Sequence, residues 1–278
     1  FQFDRLGLCG YSDSQSLMRF ACMATHQLQN SRFELKYVIH ELCARSVRDF
    51  LRGYLVVDEH ADTSNGNQYP VHSMYLDNAN YALYNSTVQG HKNRFKLRAR
   101  FYNEHPDTPI FFEIKRRHND VILKQRAGVK RSSIHKLMAG HFPQFSDLAK
   151  PGRDDFGALR NFTGLRNRLN ANGKVLVSYM REAYVTEHDN SVRVTFDRNL
   201  QTAAYRGVFS LAGMAIRPVH TAGVVLEIKF TDAFPVWLRE MVRVFDLERR
   251  PFAKYVTCVD SLHKYELMMS PSYQDVIG

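Results

Sequence analysis

Cysteine is scarce in this 278-residue chain, with four residues at 9, 22, 43 and 258 and no CxxC pair among them. That spacing offers neither a structural zinc site nor a disulfide framework, so free thiols in a reducing, cytoplasmic setting are the expectation. No run of about 18 apolar residues occurs, which leaves no segment able to cross a bilayer as a helix. A charged start followed by an apolar block, the mark of a secretory signal, is also missing. Twelve histidines are present, but no HExxH or HxxxH pair forms, so a histidine metal site is not expected. A P-loop pattern, internal repeats and low-complexity tracts are absent too.

What is abundant is positive charge. Lys and Arg total 38 against 28 Asp and Glu, a formal charge of +10. This balance favours phosphate-rich partners: nucleic acid, nucleotides, polyphosphate or anionic lipid heads. With 44% hydrophobic residues the chain can bury a sizeable core as one large domain or two small ones.

The periodicity divides the chain into an arm at 1–30, a domain at 31–270 and a tail at 271–278. Residues 32–37 alternate as a strand, and Ile39, Leu42, Cys43, Val47, Phe50, Leu51 and Tyr54 then recur at helical spacing. The polar stretch 62–68 reads as a turn, because its Asn-Gly pair supplies positive φ. Short alternating strands are predicted at 71–77, 94–102, 110–117 and 121–126. From 132 to 172 the pattern is irregular, with a short helix at 133–139 and a break at Pro151-Gly152. Ser132-Ser133 reads as a helix cap, and His72, His91, His118 and His141 as loop or surface residues. Strands resume at 175–186, 191–196 and 224–230, and helices close the chain at 235–247, with Trp237 in its core face, and 255–267. About eight antiparallel strands with flanking helices predict an α+β domain built on a barrel or strongly curved sheet.

Alternation also sorts the charges onto faces. Arg94, Lys96, Arg98 and Arg100 occupy every second position against Phe95, Leu97, Ala99 and Phe101. Glu34 and Lys36 share a face, as do Glu113, Lys115 and Arg117, and Lys124 and Arg126. Further on, Arg193, Thr195 and Asp197 alternate against valines and Phe196, and Glu227 and Lys229 against Leu226, Ile228 and Phe230. Same-face neighbours on a strand are about 7 Å apart, inside the Debye length of physiological salt, so a row of like charges calls for a compensating anion. On a closed sheet these faces would line a lumen that concentrates phosphate. Glu34, Glu113 and Glu227 stand among those cations either as ligands for hard Mg²⁺ or Mn²⁺ or as salt-bridge partners.

The ordered series 33–37, 75–77, 94–102, 112–117, 124–126, 179–181, 192–197, 226–230 and 252–255 resembles the vacuolar transporter chaperone (VTC) domain, a branch of the triphosphate tunnel metalloenzymes. The resemblance implies a closed antiparallel β-barrel with flanking helices, and synthesis of inorganic polyphosphate from the γ-phosphate of ATP with Mn²⁺ or Mg²⁺. It assigns phosphate binding to Lys36, Arg98, Arg100, Lys115, Lys124, Arg181, Arg193 and Lys254, and the metal to Glu227. Arg94, Lys96, Arg117, Arg126 and Lys229 have the right parity with a weaker family match, and Glu34 and Glu113 are further metal candidates. The first strand departs from the family's frequent Glu-x-Glu-x-Lys, having only Glu34-x-Lys36. Two other readings stand beside polymerase: a triphosphatase of the same fold, and a module that binds polyphosphate or nucleotide without turnover. Nucleic acid is not expected, since few aromatics share the cationic faces.

Overall fold

A computed structural model of the protein describes residues 32–119, 121–189, 191–207 and 209–268. The expected arm and tail, with Cys9 and Cys22, lie outside them. Among the described residues, no helix is long and apolar enough to cross a membrane.

In chain order the elements are β1 (Arg32–Ile39), α1 (Glu41–Leu51), β2 (Val56–Val57), β3 (Gln68–Asp77), α2 (Ala82–Val88), β4 (Asn93–Phe101), β5 (Ile110–His118), β6 (Val121–Val129), α3 (Ile134–Met138), α4 (Arg153–Leu169), β7 (Asn172–Val185), β8 (Val192–Ala204), β9 (Arg217–Pro218), β10 (Val224–Thr231), α5 (Val236–Val244) and α6 (Lys254–Met268). The eight long strands form one antiparallel sheet in the order β1-β10-β8-β7-β3-β4-β5-β6, and the two-residue strands attach to its side. The expected turn is there, with Gly66 and Asn67 both at φ 61°.

The expectation of a closed barrel is corrected in one respect. Among the described residues no backbone pairing joins the two edge strands, β1 and β6, so the sheet is not closed by hydrogen bonds. The two edge strands nevertheless approach each other, and on the inner face Lys115 Nζ on β5 reaches Glu34 Oε2 on β1 at 2.7 Å.

Two apolar clusters cover the outer face. Leu97, Ala99, Phe101, Phe112 and Ile114 pack under α3 and α4 through Ile134, Leu137, Leu159 and Phe162. On the other side Ile39, Val194, Phe196, Leu226 and Ile228 pack under α1 and α5 through Val47, Leu51, Leu238 and Met241. Trp237 joins this core, stacked on Tyr54 at 4.7 Å. A third cluster is on the inner face, where α6 lays Tyr255, Cys258 and Val259 against Val71, Tyr75, Val175, Val177 and Tyr179. The core therefore lies outside the curved sheet everywhere except beneath α6. That arrangement leaves much of the remaining inner face to charged side chains.

Three local expectations change. The 132–172 stretch holds the 17-residue helix α4; its Gly157 and Gly164 dilute a real apolar face of Ala158, Leu159 and Phe162. Ser133 does stand at the N-cap position of α3, but its hydroxyl makes no cap bond and donates instead to Asp147 Oδ1 at 2.8 Å. His72 is not a loop residue but a strand residue, 2.8 Å from Ser178 Oγ and stacked on Phe101.

Candidate phosphate-binding site

Strand register brings the charged faces together. Arg98 stands opposite Glu113, Lys96 opposite Lys115 and Arg94 opposite Arg117. Lys115 in turn faces Lys124, and Glu113 faces Arg126. Across the molecule Lys36 pairs with Glu227 and Glu34 with Lys229, Lys229 with Arg193, and Arg181 with Asp197. Because side chains alternate along each strand, these partners all project to the inner face.

One cavity on that face is lined by Lys36, Lys96, Arg98, Arg100, Lys115, Arg181, Lys229 and Lys254, with Glu227, Tyr75, Tyr179, Tyr255 and Ala253. Six of the eight family-matched cations are in this lining, joined by Lys96 and Lys229 from the weaker group. The others stand outside it. Lys124 Nζ is 2.8 Å from Glu113 Oε1, and Arg126 stacks over Phe111 at 3.5 Å. Arg193 is held by Asp58 at 2.6 Å. Arg94 donates to the His91 carbonyl, and Arg117 to the Asn119 carbonyl at 2.7 Å.

The three glutamates have different surroundings. Glu227 sits inside a ring of cations, with Lys229 at 3.0 Å, Lys36 at 3.3 Å, Lys254 at 3.6 Å and Arg181 at 3.8 Å. Burial alone would raise its carboxyl, but those four charges hold it well below the usual carboxylate range. Glu34 is shared between Lys115 at 2.7 Å and Lys36 at 3.0 Å. Glu113 is fully buried, with Arg98 at 2.6 Å and Lys124 at 2.8 Å.

The lysines divide by their partners. Burial works against a charged Lys36, but Glu227 and Glu34 outweigh it and raise its pKa. Burial lowers Lys96 to about 8, with further repulsion from Lys36, Lys115 and Arg98. Lys115 is also lowered to about 8; despite Glu34 beside it, burial and the charges of Lys36 and Lys229 win. Two of the cations lining the cavity are therefore poised to lose their protons slightly above neutrality.

Several residues at the site have no role assigned from the sequence. Asp197 binds Arg181 through two hydrogen bonds at 2.7 and 2.8 Å and Lys254 at 2.6 Å, so it orders two cavity cations. Tyr75 accepts from Arg98 at 3.1 Å, and Tyr179 lies under both Arg181 and Lys254. The parity of Asp197 with Arg193 was a usable signal. The tyrosines reach the site only because α6 and the inner face of β3 and β7 meet there.

The chain matches the VTC domain family over residues 31–263. No curated protein matches it. Among solved structures it is similar to a Bacillus halodurans protein proposed to be an adenylate cyclase, with 13% identity and a TM-score of 0.47 over 81% of this chain and 95% of that one. A Pyrococcus horikoshii protein is similar at 12% identity and a TM-score of 0.42, over 83% and 98% of the two chains. A Vibrio parahaemolyticus protein, likewise proposed to be an adenylate cyclase, gives 10% and 0.42 over 82% and 97%. Likenesses this distant carry no functional argument.

Proposed function

This chain belongs to the VTC domain family, and from that premise we propose that it transfers the γ-phosphoryl group of ATP to the end of an inorganic polyphosphate chain. The observation that carries the reading is the convergence of eight cations and one carboxylate on a single cavity. Phosphoryl transfer asks for positioning and charge neutralisation more than for covalent catalysis. Arg98, Arg100 and Arg181 present planar forks suited to non-bridging phosphate oxygens, while Lys36, Lys115 and Lys254 supply compact charges between them. The bond from the γ-phosphorus to the β,γ-bridging oxygen breaks, a bond to the terminal oxygen of the acceptor chain forms, and ADP leaves with the bridging oxygen. Lys124 and Arg193 flank the cavity as strand partners of Lys115 and Lys229, each paired with a carboxylate, Glu113 and Asp58.

A hard divalent cation would be held at Glu227, the one carboxylate in the cavity lining, whose strand partner Thr195 carries a buried hydroxyl with no hydrogen-bond partner. No group of three or more acidic, histidine or cysteine side chains gathers among the described residues, so phosphate oxygens would have to complete the ligand set. Mn²⁺ or Mg²⁺ binds through one or two carboxylates together with phosphate oxygens, and there it would neutralise charge developing on the transferring group. Glu113, enclosed by cations at 2.6 and 2.8 Å, and Glu34, bound to two lysines, serve instead to order the cations around them.

Purified protein given ATP and Mn²⁺ should accumulate a polymer that stains on a polyacrylamide gel. Release of orthophosphate alone would replace the polymerase reading with a triphosphatase of the same site. Glu227→Gln should retain tripolyphosphate binding and lose roughly 10²-fold or more in turnover; full turnover in that variant would remove the metal from Glu227.

A further inference from the structure

The two ends of the inner face differ in chemistry. Strands β3 and β5 run one way and β4 runs against them, so the start of β3, the end of β4 and the start of β5 meet at one end. The inward side chains there are Tyr69, Tyr102 and Phe111, each half-buried. Ring centroids are 6.2 Å apart for Tyr69 and Tyr102 and 6.1 Å for Tyr102 and Phe111. At the opposite end of β4 and β5 the inward pairs are Lys96 with Lys115 and Arg94 with Arg117. One end is a cluster of rings and the other a double row of cations.

The rings border the phosphate cavity directly. Phe111 is the strand partner of Arg100 and Tyr69 that of Arg181, and both arginines line the cavity. The positive charge at the aromatic end is already engaged. Arg193 donates to Tyr69 Oη at 3.2 Å and is neutralised by Asp58 at 2.6 Å, and the Arg126 guanidinium carbon lies over the Phe111 ring, 3.5 Å from its centroid. A phosphate chain gains nothing from ring faces, whose quadrupole repels anions, or from the buried carboxylate of Asp58. A flat, uncharged heteroaromatic ring gains stacking from both the rings and the guanidinium.

We propose that Tyr69, Tyr102 and Phe111 form a nucleobase-binding site, so that a nucleoside triphosphate lies with its base at this end and its terminal phosphate pointing toward Lys96 and Lys115. The site would separate nucleoside triphosphates from inorganic tripolyphosphate and would leave the opposite end to the growing polyanion. This inference rests on the cavity being a triphosphate site.

The test is calorimetric titration of the full chain with ATP and, separately, with inorganic tripolyphosphate, for wild type, Tyr102→Ser and Phe111→Leu. The expected result is a loss of about 5- to 100-fold in ATP affinity, the range for one lost stacking partner, with tripolyphosphate affinity within about twofold of wild type. If tripolyphosphate binds and the two ligands weaken in parallel, or neither weakens, the rings are packing and the proposal is wrong. Failure of wild type to bind either ligand would refute the triphosphate reading itself. Should the variants not fold, photolabelling of wild type with 8-azido-ATP decides: label on the peptides of Tyr69, Tyr102 or Phe111 supports the site, and label at 91–96 or 115–119 overturns it.

Discussion

Lys115 lies 2.7 Å from the carboxylate of Glu34, yet burial and two neighbouring ammonium groups bring it down to about 8. Lys96, its strand partner, is lowered to the same range for the same first reason. Both charges are present below pH 8 and are lost as the pH rises through it. Tripolyphosphate affinity should therefore fall between pH 7 and 9, and binding near pH 8 should take up protons, read as a dependence of the calorimetric heat on buffer ionisation enthalpy. Affinity that is constant across that range would contradict the assignment of these lysines to the site. For the free protein the linkage has the other sign. Between about 8 and the ordinary lysine value of 10.5 the folded state holds fewer protons than the unfolded one, so these two groups add stability as the pH rises.

At the scale of elements, helix α6 connects the site to the fold. Tyr255 donates to Asp77 Oδ2 at 2.7 Å, and the same carboxylate accepts from the backbone amides of Leu83 at 3.0 Å and Tyr84 at 2.9 Å. One buried side chain thus ties β3, α2 and α6 together. Tyr255 also stacks on Tyr75 at 4.8 Å, while the preceding residue, Lys254, reaches Asp197 and Glu227. Tyr255→Phe keeps the ring and removes the hydrogen bond, so it should lower stability by about 1–3 kcal/mol, seen as a lower urea midpoint with an unchanged slope. An unaltered midpoint would mean that Asp77 is satisfied by its backbone donors alone. Such a tie was not legible in the sequence, because 178 residues separate its two ends. The helix itself was, since its apolar positions follow the 3.6-residue period. Helix α4 shows the converse: its glycines hid a face that packing makes good.

For the molecule as a whole, the outer faces of the sheet hold most of the core and the inner face holds most of the buried charge. Cations gathered around a cavity repel one another, and a bound polyanion relieves that repulsion only in the folded state. Tripolyphosphate at about 100 times its dissociation constant should then stabilise the fold by about 2.7 kcal/mol, a rise of roughly 5–10 °C in Tm. The rise should shrink in concentrated salt. Scanning calorimetry at two salt concentrations checks both, and a Tm indifferent to tripolyphosphate would count against the site.

Alternation alone determined which charges share a face, because the two-residue period of a strand is a property of the backbone. That is why the ladder Arg94, Lys96, Arg98 and Arg100, with Lys36, Lys115 and Glu227, could be read from the chain, while Arg181 and the helical Lys254 came only from the family resemblance. Which rungs meet was decided by register and curvature, which depend on contacts between distant strands. These place Arg98 and Arg100 in the cavity, leave Arg94 beyond it, and enclose Glu113 while leaving Glu227 in the lining. The same contacts gather Tyr69, Tyr102 and Phe111 at one end. No local pattern marks those three rings as neighbours, since only the antiparallel pairing of β3, β4 and β5 brings them together.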